Sequence, residues 1–188
     1  IVALRGDMPD MGSFKPHPEG YNSSVDLVEA IKKHGCFDIT VSAYPEKHPE
    51  SPSFETDINL LKAKINAGAD QAITQFAYDN DVYSSFRDKL VADGINIPLI
   101  PGIMPTTNFK GVKNMAEKCG TSIPEWLSAQ YTGLEDDFER REEIAIKVAV
   151  DQCRQLISEG FDQLHFYTLN QYKVIGKVCT ILGLGAGK

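Results

Sequence analysis

The sequence predicts an α/β fold: a (β/α)8 TIM barrel, of which the chain carries the C-terminal five βα units. Three observations lead there. Short apolar runs alternate with amphipathic helical patterns along all 188 residues. No glycine-rich dinucleotide turn follows the first run, where the chain reads Leu4-Arg5-Gly6-Asp7-Met8-Pro9, so an open nucleotide-binding sheet loses ground to a barrel. Polar residues gather just past the apolar runs, which is how a barrel assembles a site from many strand ends.

The runs Ile1 to Leu4, Ile39 to Tyr44, Ala72 to Phe76, Ile97 to Ile103 and Gln163 to Thr168 read as strands. They are β-branched or aromatic and lack strict polar alternation, the pattern of parallel strands covered on both faces. Between them, Val25, Leu27, Val28 and Ile31 form one helical stripe, and Ile58, Leu61 and Ile65 another. Val82, Phe86 and Leu90 recur at four-residue spacing, and a longer helix is predicted from about Asp137 to Glu159, with Ile144, Val148 and Leu156 inside it. Gly68, Gly94 and Gly160 read as helix terminators leading into the next strand. Five units cannot close an eight-stranded barrel, and the chain begins inside a strand without methionine, so three further units are expected before Ile1.

Composition narrows the function classes. Hydrophobic residues make up 42% and charged residues 24%, as in soluble globular proteins. A net charge of −7, with no basic stripe to offset it, argues against a nucleic-acid partner. No apolar run reaches the roughly 18 residues that a membrane-spanning helix needs. Cys36, Cys119, Cys153 and Cys179 fit neither a zinc knuckle nor a disulfide framework, so reduced thiols and a cytoplasmic setting are expected.

Candidate residues sit at the strand exits. Asp7, beside Arg5, is either a loop carboxylate or a charge held at the barrel mouth. The tract Tyr44-Pro45-Glu46-Lys47-His48-Pro49-Glu50 is stiffened by its two prolines, and its glutamates read as solvated. Gln75, near the end of an inward strand, suits either a cross-barrel hydrogen bond or recognition of a heterocycle edge. Asp57 and Lys64, seven residues apart on one helical face, read either as solvated charges, the commoner case, or as a pair whose lysine meets a ligand phosphate. His48 and His165 lack a second ligand at helical or hairpin spacing, which leaves no metal site.

Taken together, the tracts IVALRGD, AYPEKHPE, DINLLKAKINAGADQAITQFAYD, IPGIMP and LHFYTLN, in that order, resemble the 5,10-methylenetetrahydrofolate reductase family over almost the whole chain. The resemblance implies that residues 1–188 form part of a flavin-binding TIM-barrel catalytic domain. It also implies FAD as cofactor and NADH or NADPH as hydride donor. The reaction would be reduction of 5,10-methylenetetrahydrofolate to 5-methyltetrahydrofolate in one-carbon and methionine metabolism, by ping-pong hydride transfer. By position, Asp7 matches a catalytic carboxylate close to flavin and folate, and Arg5 and Gly6 would line the flavin. Tyr44, His48, Asp57 and Lys64 match FAD-contacting residues, the last two near its ribose and phosphates. Gln75, Tyr167 and Gln171 fall where the folate and nicotinamide bind. A homo-oligomer is implied as well, with small molecules as the partners and neither nucleic acid nor membrane.

Four positions depart from the family pattern. Gln171 replaces an arginine after YTLN, Met115 a phenylalanine, Gly111 a glutamine and Leu60 an asparagine. The family's proton-donating glutamate is expected before Ile1, so the chain alone is expected to be inactive. Two alternatives stay open: a noncatalytic flavin-binding barrel fragment, and a related barrel oxidoreductase with another pterin or one-carbon substrate.

Overall fold

The computed structural model describes residues 1–6 and 17–184. Asp7 lies outside them. Five strands form one sheet in the order of the chain: β1 (Val2–Ala3), β2 (Thr40–Ala43), β3 (Gln71–Phe76), β4 (Leu99–Ile103) and β5 (His165–Phe166). Every neighbouring pair is parallel. Sequential parallel strands joined by helical crossovers build a half-barrel, as the alternation predicts. The strand centres fall inside the predicted runs, but β1 and β5 are only two residues long. Among the described residues each of these two pairs with a single neighbour, so the ladder supports fewer residues there.

Among the described residues, seven helices flank the sheet. α1 (Ser24–His34), α2 (Phe54–Asn66), α3 (Asn80–Ala92) and α6 (Phe138–Ser158) follow the predicted stripes. Each starts where a short polar side chain accepts an otherwise unpaired backbone N–H: Ser23 from Asp26, Ser53 from Thr56, Asp79 from Asp81 and Asp137 from Arg140. Gly94 and Gly160 close α3 and α6 with φ of 77° and 91°, which glycine adopts without steric cost. The apolar patterns named above do not include α4 (Phe109–Cys119), α5 (Glu125–Gln130) or α7 (Tyr172–Leu182). α4 carries Asn108 as its cap, accepting from the Gly111 N–H at 3.1 Å.

The core is divided into separate clusters along the sheet. Val41, Ala43 and Ala72 meet Val28, Ile58, Leu61, Phe86 and Leu90 in one cluster. Ile103, Ala149, Val150, Cys153, Leu156 and Val178 form another, where α6 and α7 cover β4. Because side chains alternate across a strand, the residues between these core positions, among them Ser42, Tyr44, Ile73, Gln75, His165 and Tyr167, face the concave side. Among the described residues no helix is long and apolar enough to cross a membrane.

Candidate active site

On the concave side, a cavity of about 580 Å³ opens at the carboxyl ends of the strands. Arg5, Tyr44, His48, Asp57, Lys64, Gln75 and Tyr167 all line it. Gly6 is exposed and is not among its lining residues. Gln171 is also outside the lining; its Oε1 instead accepts a short hydrogen bond from the Thr107 hydroxyl on the β4–α4 loop.

The segment after β2 supplies the most tightly organised wall. The Tyr44 and His48 rings meet edge to face, 4.6 Å between centroids. Asp57 accepts the His48 backbone N–H at 2.7 Å, and His48 Nδ1 accepts the Glu50 backbone N–H at 3.1 Å. Lys47, in the left-handed region at φ 79°, turns its ammonium back onto the carbonyls of His48 and Ser51. The two glutamates read as solvated both have partners. Glu46 accepts from the Ser122 backbone N–H and, through a short bond, from its hydroxyl. Glu50 pairs with Arg5 at 2.7 Å, and that guanidinium holds its carboxyl below the usual range.

Lys64 overturns the commoner of its two sequence readings. It is 4% exposed, not a solvated surface charge. Its ammonium donates to the Ser42 carbonyl at 3.0 Å and the Ser42 hydroxyl at 3.3 Å. Helical spacing does place Asp57, Leu60, Leu61 and Lys64 on one face, but that face looks onto the cavity wall. Burial pulls Lys64 down to about 8, while the charge of Asp57 pushes back upward.

The opposite wall comes from β3 to β5. Gln75 uses its Oε1 to accept the Phe76 backbone N–H at 3.0 Å, which leaves its two amide hydrogens as donors. Tyr167 reaches across β4, its hydroxyl donating to the Thr74 carbonyl on β3 at 2.9 Å. Gly102 makes that crossing possible: a Cβ there would lie 2.5 Å from Tyr167 Cε2 and 2.4 Å from the Thr74 oxygen. Burial pushes the Tyr167 hydroxyl up to about 12 and raises Tyr44 too, so both phenols stay neutral at ordinary pH. His165, two residues before Tyr167 on the same face, also lines the cavity; burial lowers it, which favours the neutral imidazole. Sequence reasoning weighed His165 only as a metal ligand, although the i, i+2 strand spacing pairs it with Tyr167. Ser42 and Gly102 were not singled out; Ser42 precedes Tyr44 by the same spacing.

The departures from the family pattern also have places. Gly111 packs beneath Asn108, where a Cβ would come within 2.7 Å of the capping amide. Met115 packs partly buried against the cluster of Phe76, Met104 and Phe109. Leu60, 43% exposed, lines the cavity.

A wall with a buried ammonium whose acceptors are both neutral, next to hydroxyls and aromatic edges, fits a ligand with both an anionic and a planar part. Comparison with known proteins identifies the family. Residues 1–183 match the family model described as methylenetetrahydrofolate reductase. The chain is 46% identical over 187 residues to 5,10-methylenetetrahydrofolate reductase of Escherichia coli K12, covering 100% of this chain and 62% of that protein. The corresponding protein of Salmonella typhimurium is 45% identical, with the same shares covered. Methylenetetrahydrofolate reductase (NADH) 1 of Arabidopsis thaliana is 38% identical, over 98% of this chain and 33% of its own. Among solved structures, a Clostridium thermocellum protein described as binding two copies of 5-methyl-5,6,7,8-tetrahydrofolic acid superposes with a TM-score of 0.54. It is 18% identical and is covered over 59% of its length by 86% of this chain, a likeness of fold. The chain thus spans 62% of the length of its bacterial relatives, and it belongs to the methylenetetrahydrofolate reductase family.

Proposed function

We propose that this chain supplies the cofactor wall and part of the folate wall of a flavoenzyme that reduces 5,10-methylenetetrahydrofolate to 5-methyltetrahydrofolate at the expense of NAD(P)H. The observation that carries the reading is the single cavity that gathers Arg5, Tyr44, His48, Asp57, Lys64, Gln75 and Tyr167 from four strand exits and α2. The five units are read as the C-terminal part of an eight-unit barrel, in keeping with the 62% of the Escherichia coli relative that the chain spans.

FAD, when bound, supplies the hydride chemistry; the protein contributes position and electrostatics. Lys64 and Asp57 would hold its phosphate and ribose portion, with Tyr44 and His48 forming the adjoining wall and Arg5 and Gly6 flanking the flavin. Gln75, with its carbonyl occupied by Phe76, presents two N–H donors to a pterin or nicotinamide edge. Tyr167 closes the folate side as a neutral phenol. Asp7 is assigned by its place in the R-G-D tract to the carboxylate that favours positive charge on the folate; it lies outside the described residues. Gln171, held by Thr107, would give the folate tail a neutral hydrogen bond where the family pattern has a cation.

Steady-state kinetics test this. The complete enzyme of which this chain is proposed to be a part, purified with FAD, should give parallel double-reciprocal lines for NAD(P)H and methylenetetrahydrofolate, with 5-methyltetrahydrofolate as product. A protein that loads flavin and oxidises NAD(P)H, yet leaves the folate unreduced, would favour a related oxidoreductase acting on another pterin. The Gln171–Thr107 contact is the observation that keeps that second reading in view.

A further inference from the structure

Lys64 is a buried cation that makes no ion pair among the described residues, although the charge of Asp57 acts on it at longer range. Its two acceptors, the Ser42 carbonyl and hydroxyl, are neutral. An ammonium has three donors, so one N–H is left for something else. Asp57, two turns earlier on α2, spends Oδ2 on the His48 backbone N–H and makes no ion pair with Lys64 among the described residues. A buried charge in this condition is costly and is relieved either by losing its proton or by gaining an anion.

We propose that cofactor loading is proton-linked through Lys64: the phosphate-bearing flavin closes only on the ammonium form, so binding takes up a proton at alkaline pH. The proposal rests on reading the cavity as the flavin site. The sign follows from linkage. In the free protein Lys64 titrates at about 8. A diphosphate against the ammonium raises that value, so the bound state holds more protons than the free state above pH 8. FAD affinity is therefore full below about pH 8 and falls as pH rises above it.

Other titratable groups line the same cavity as Lys64. Asp57 lies on its own helix, and β2 contributes Tyr44. The β2–α2 loop contributes His48 and Glu50, and the segment after β1 contributes Arg5. β5 contributes His165 and Tyr167. Burial holds both tyrosines above the range concerned and keeps His165 below it. Glu50 is paired with Arg5 and held low. Lys64 is thus the cavity cation whose proton burial loosens.

The test is flavin binding by the apoprotein, read by quenching of flavin fluorescence across a pH series. A single group titrating near 8 weakens FAD binding about tenfold between about pH 7 and pH 9. Riboflavin, which lacks phosphate, should show no such slope. Calorimetry of FAD binding in buffers of different ionisation enthalpy should report uptake approaching one proton near pH 9. Lys64→Arg, whose guanidinium stays charged, should bind FAD with the slope abolished, and Lys64→Met should bind weakly at every pH. Equal slopes for FAD and riboflavin, a slope that survives in Lys64→Arg, or no proton uptake would overturn the linkage while leaving the flavin site intact. Failure to bind any flavin at neutral pH would overturn both this proposal and the function it rests on.

Discussion

The loops that follow β2 and β5 each bring a tyrosine to the same cavity, but they are held in different ways. The β2 loop is tied along its length. His48 is fixed by Asp57 and Glu50, Lys47 by two carbonyls of its own turn, and Glu46 by Ser122 of the α4–α5 connection. The β5 loop passes through two consecutive left-handed residues, Leu169 at φ 45° and Asn170 at φ 63°. It rests on the Tyr167 hydroxyl, the short Thr107–Gln171 bond and a turn from Thr168 to Gln171. α7 then begins without a side-chain cap. The wall after β2 is preorganised, whereas the wall after β5 rests on fewer contacts and can rearrange more cheaply, a difference that suits the proposed exchange of substrates beside a fixed cofactor.

The largest expected effect comes from Gly102→Ala. The new methyl would sit 2.4 Å from the Thr74 carbonyl oxygen and 2.5 Å from Tyr167. The first neighbour is backbone and cannot step aside cheaply, so overpacking of about 1–3 kcal/mol is expected in denaturant unfolding. Folate affinity should fall more than FAD affinity, because Tyr167 loses its seat while the β2 loop is untouched. Equal losses would show that the two walls are not independent.

Asp57→Ala strikes the other side. It leaves the part-buried His48 N–H without an acceptor, at about 1–3 kcal/mol. It also removes the charge that raises Lys64. Weakened FAD binding is therefore expected, with the pH dependence of that binding moved to lower pH. Fluorescence titration of the apoprotein reads both effects, and an unmoved pH dependence would contradict the coupling between these two residues.

Tyr167→Phe is milder. Removing one hydroxyl that bonds a backbone carbonyl costs about 1 kcal/mol in stability. The Thr74 carbonyl keeps its strand environment and the ring keeps its contacts with Phe76 and His165. The KM for folate should rise with FAD affinity unchanged.

Much of this contrast was legible in the sequence, and the limits have physical causes. Apolar β-branched runs gave the strand centres, and glycines at Gly94 and Gly160 gave helix ends, because both signals are local. The tract Tyr44 to Glu50 could be recognised as stiff from its prolines, but Glu46 finds Ser122 across 76 positions of chain, which no local pattern encodes. For Lys64 the local pattern left a solvated charge and a ligand-facing lysine both open, and only the placement of α2 against β2 buries it. Gly102 gave no sign of its role, since the tyrosine that crosses it belongs to the last strand. α5 is one and a half turns long, too short for periodicity to register. α7 carried a usable signal in Val174 and Val178, four residues apart and both buried.

The last predicted effects are the most direct probe of the comparison, because the same substitution should act differently on the two loops. Lys47 and Leu169 are both non-glycine residues at positive φ. Glycine at either position removes the steric cost of the left-handed region, roughly 1 kcal/mol, and adds a somewhat smaller entropic cost through the unfolded chain. For Leu169, more than half exposed, few other contacts are lost, so Leu169→Gly should leave the melting temperature unchanged or raise it slightly. Lys47→Gly also deletes two hydrogen bonds from the ammonium to the carbonyls of His48 and Ser51. Bonds from a charged donor contribute roughly 1.5–3 kcal/mol when well desolvated and less when part-exposed as here, enough to outweigh the relief of strain. Lys47→Gly should therefore lower the melting temperature and loosen FAD, where Leu169→Gly does neither. Parallel shifts in the two variants would mean that the left-handed residues of the β2 loop are strained and not anchored, and that the two walls differ less than their hydrogen bonds indicate.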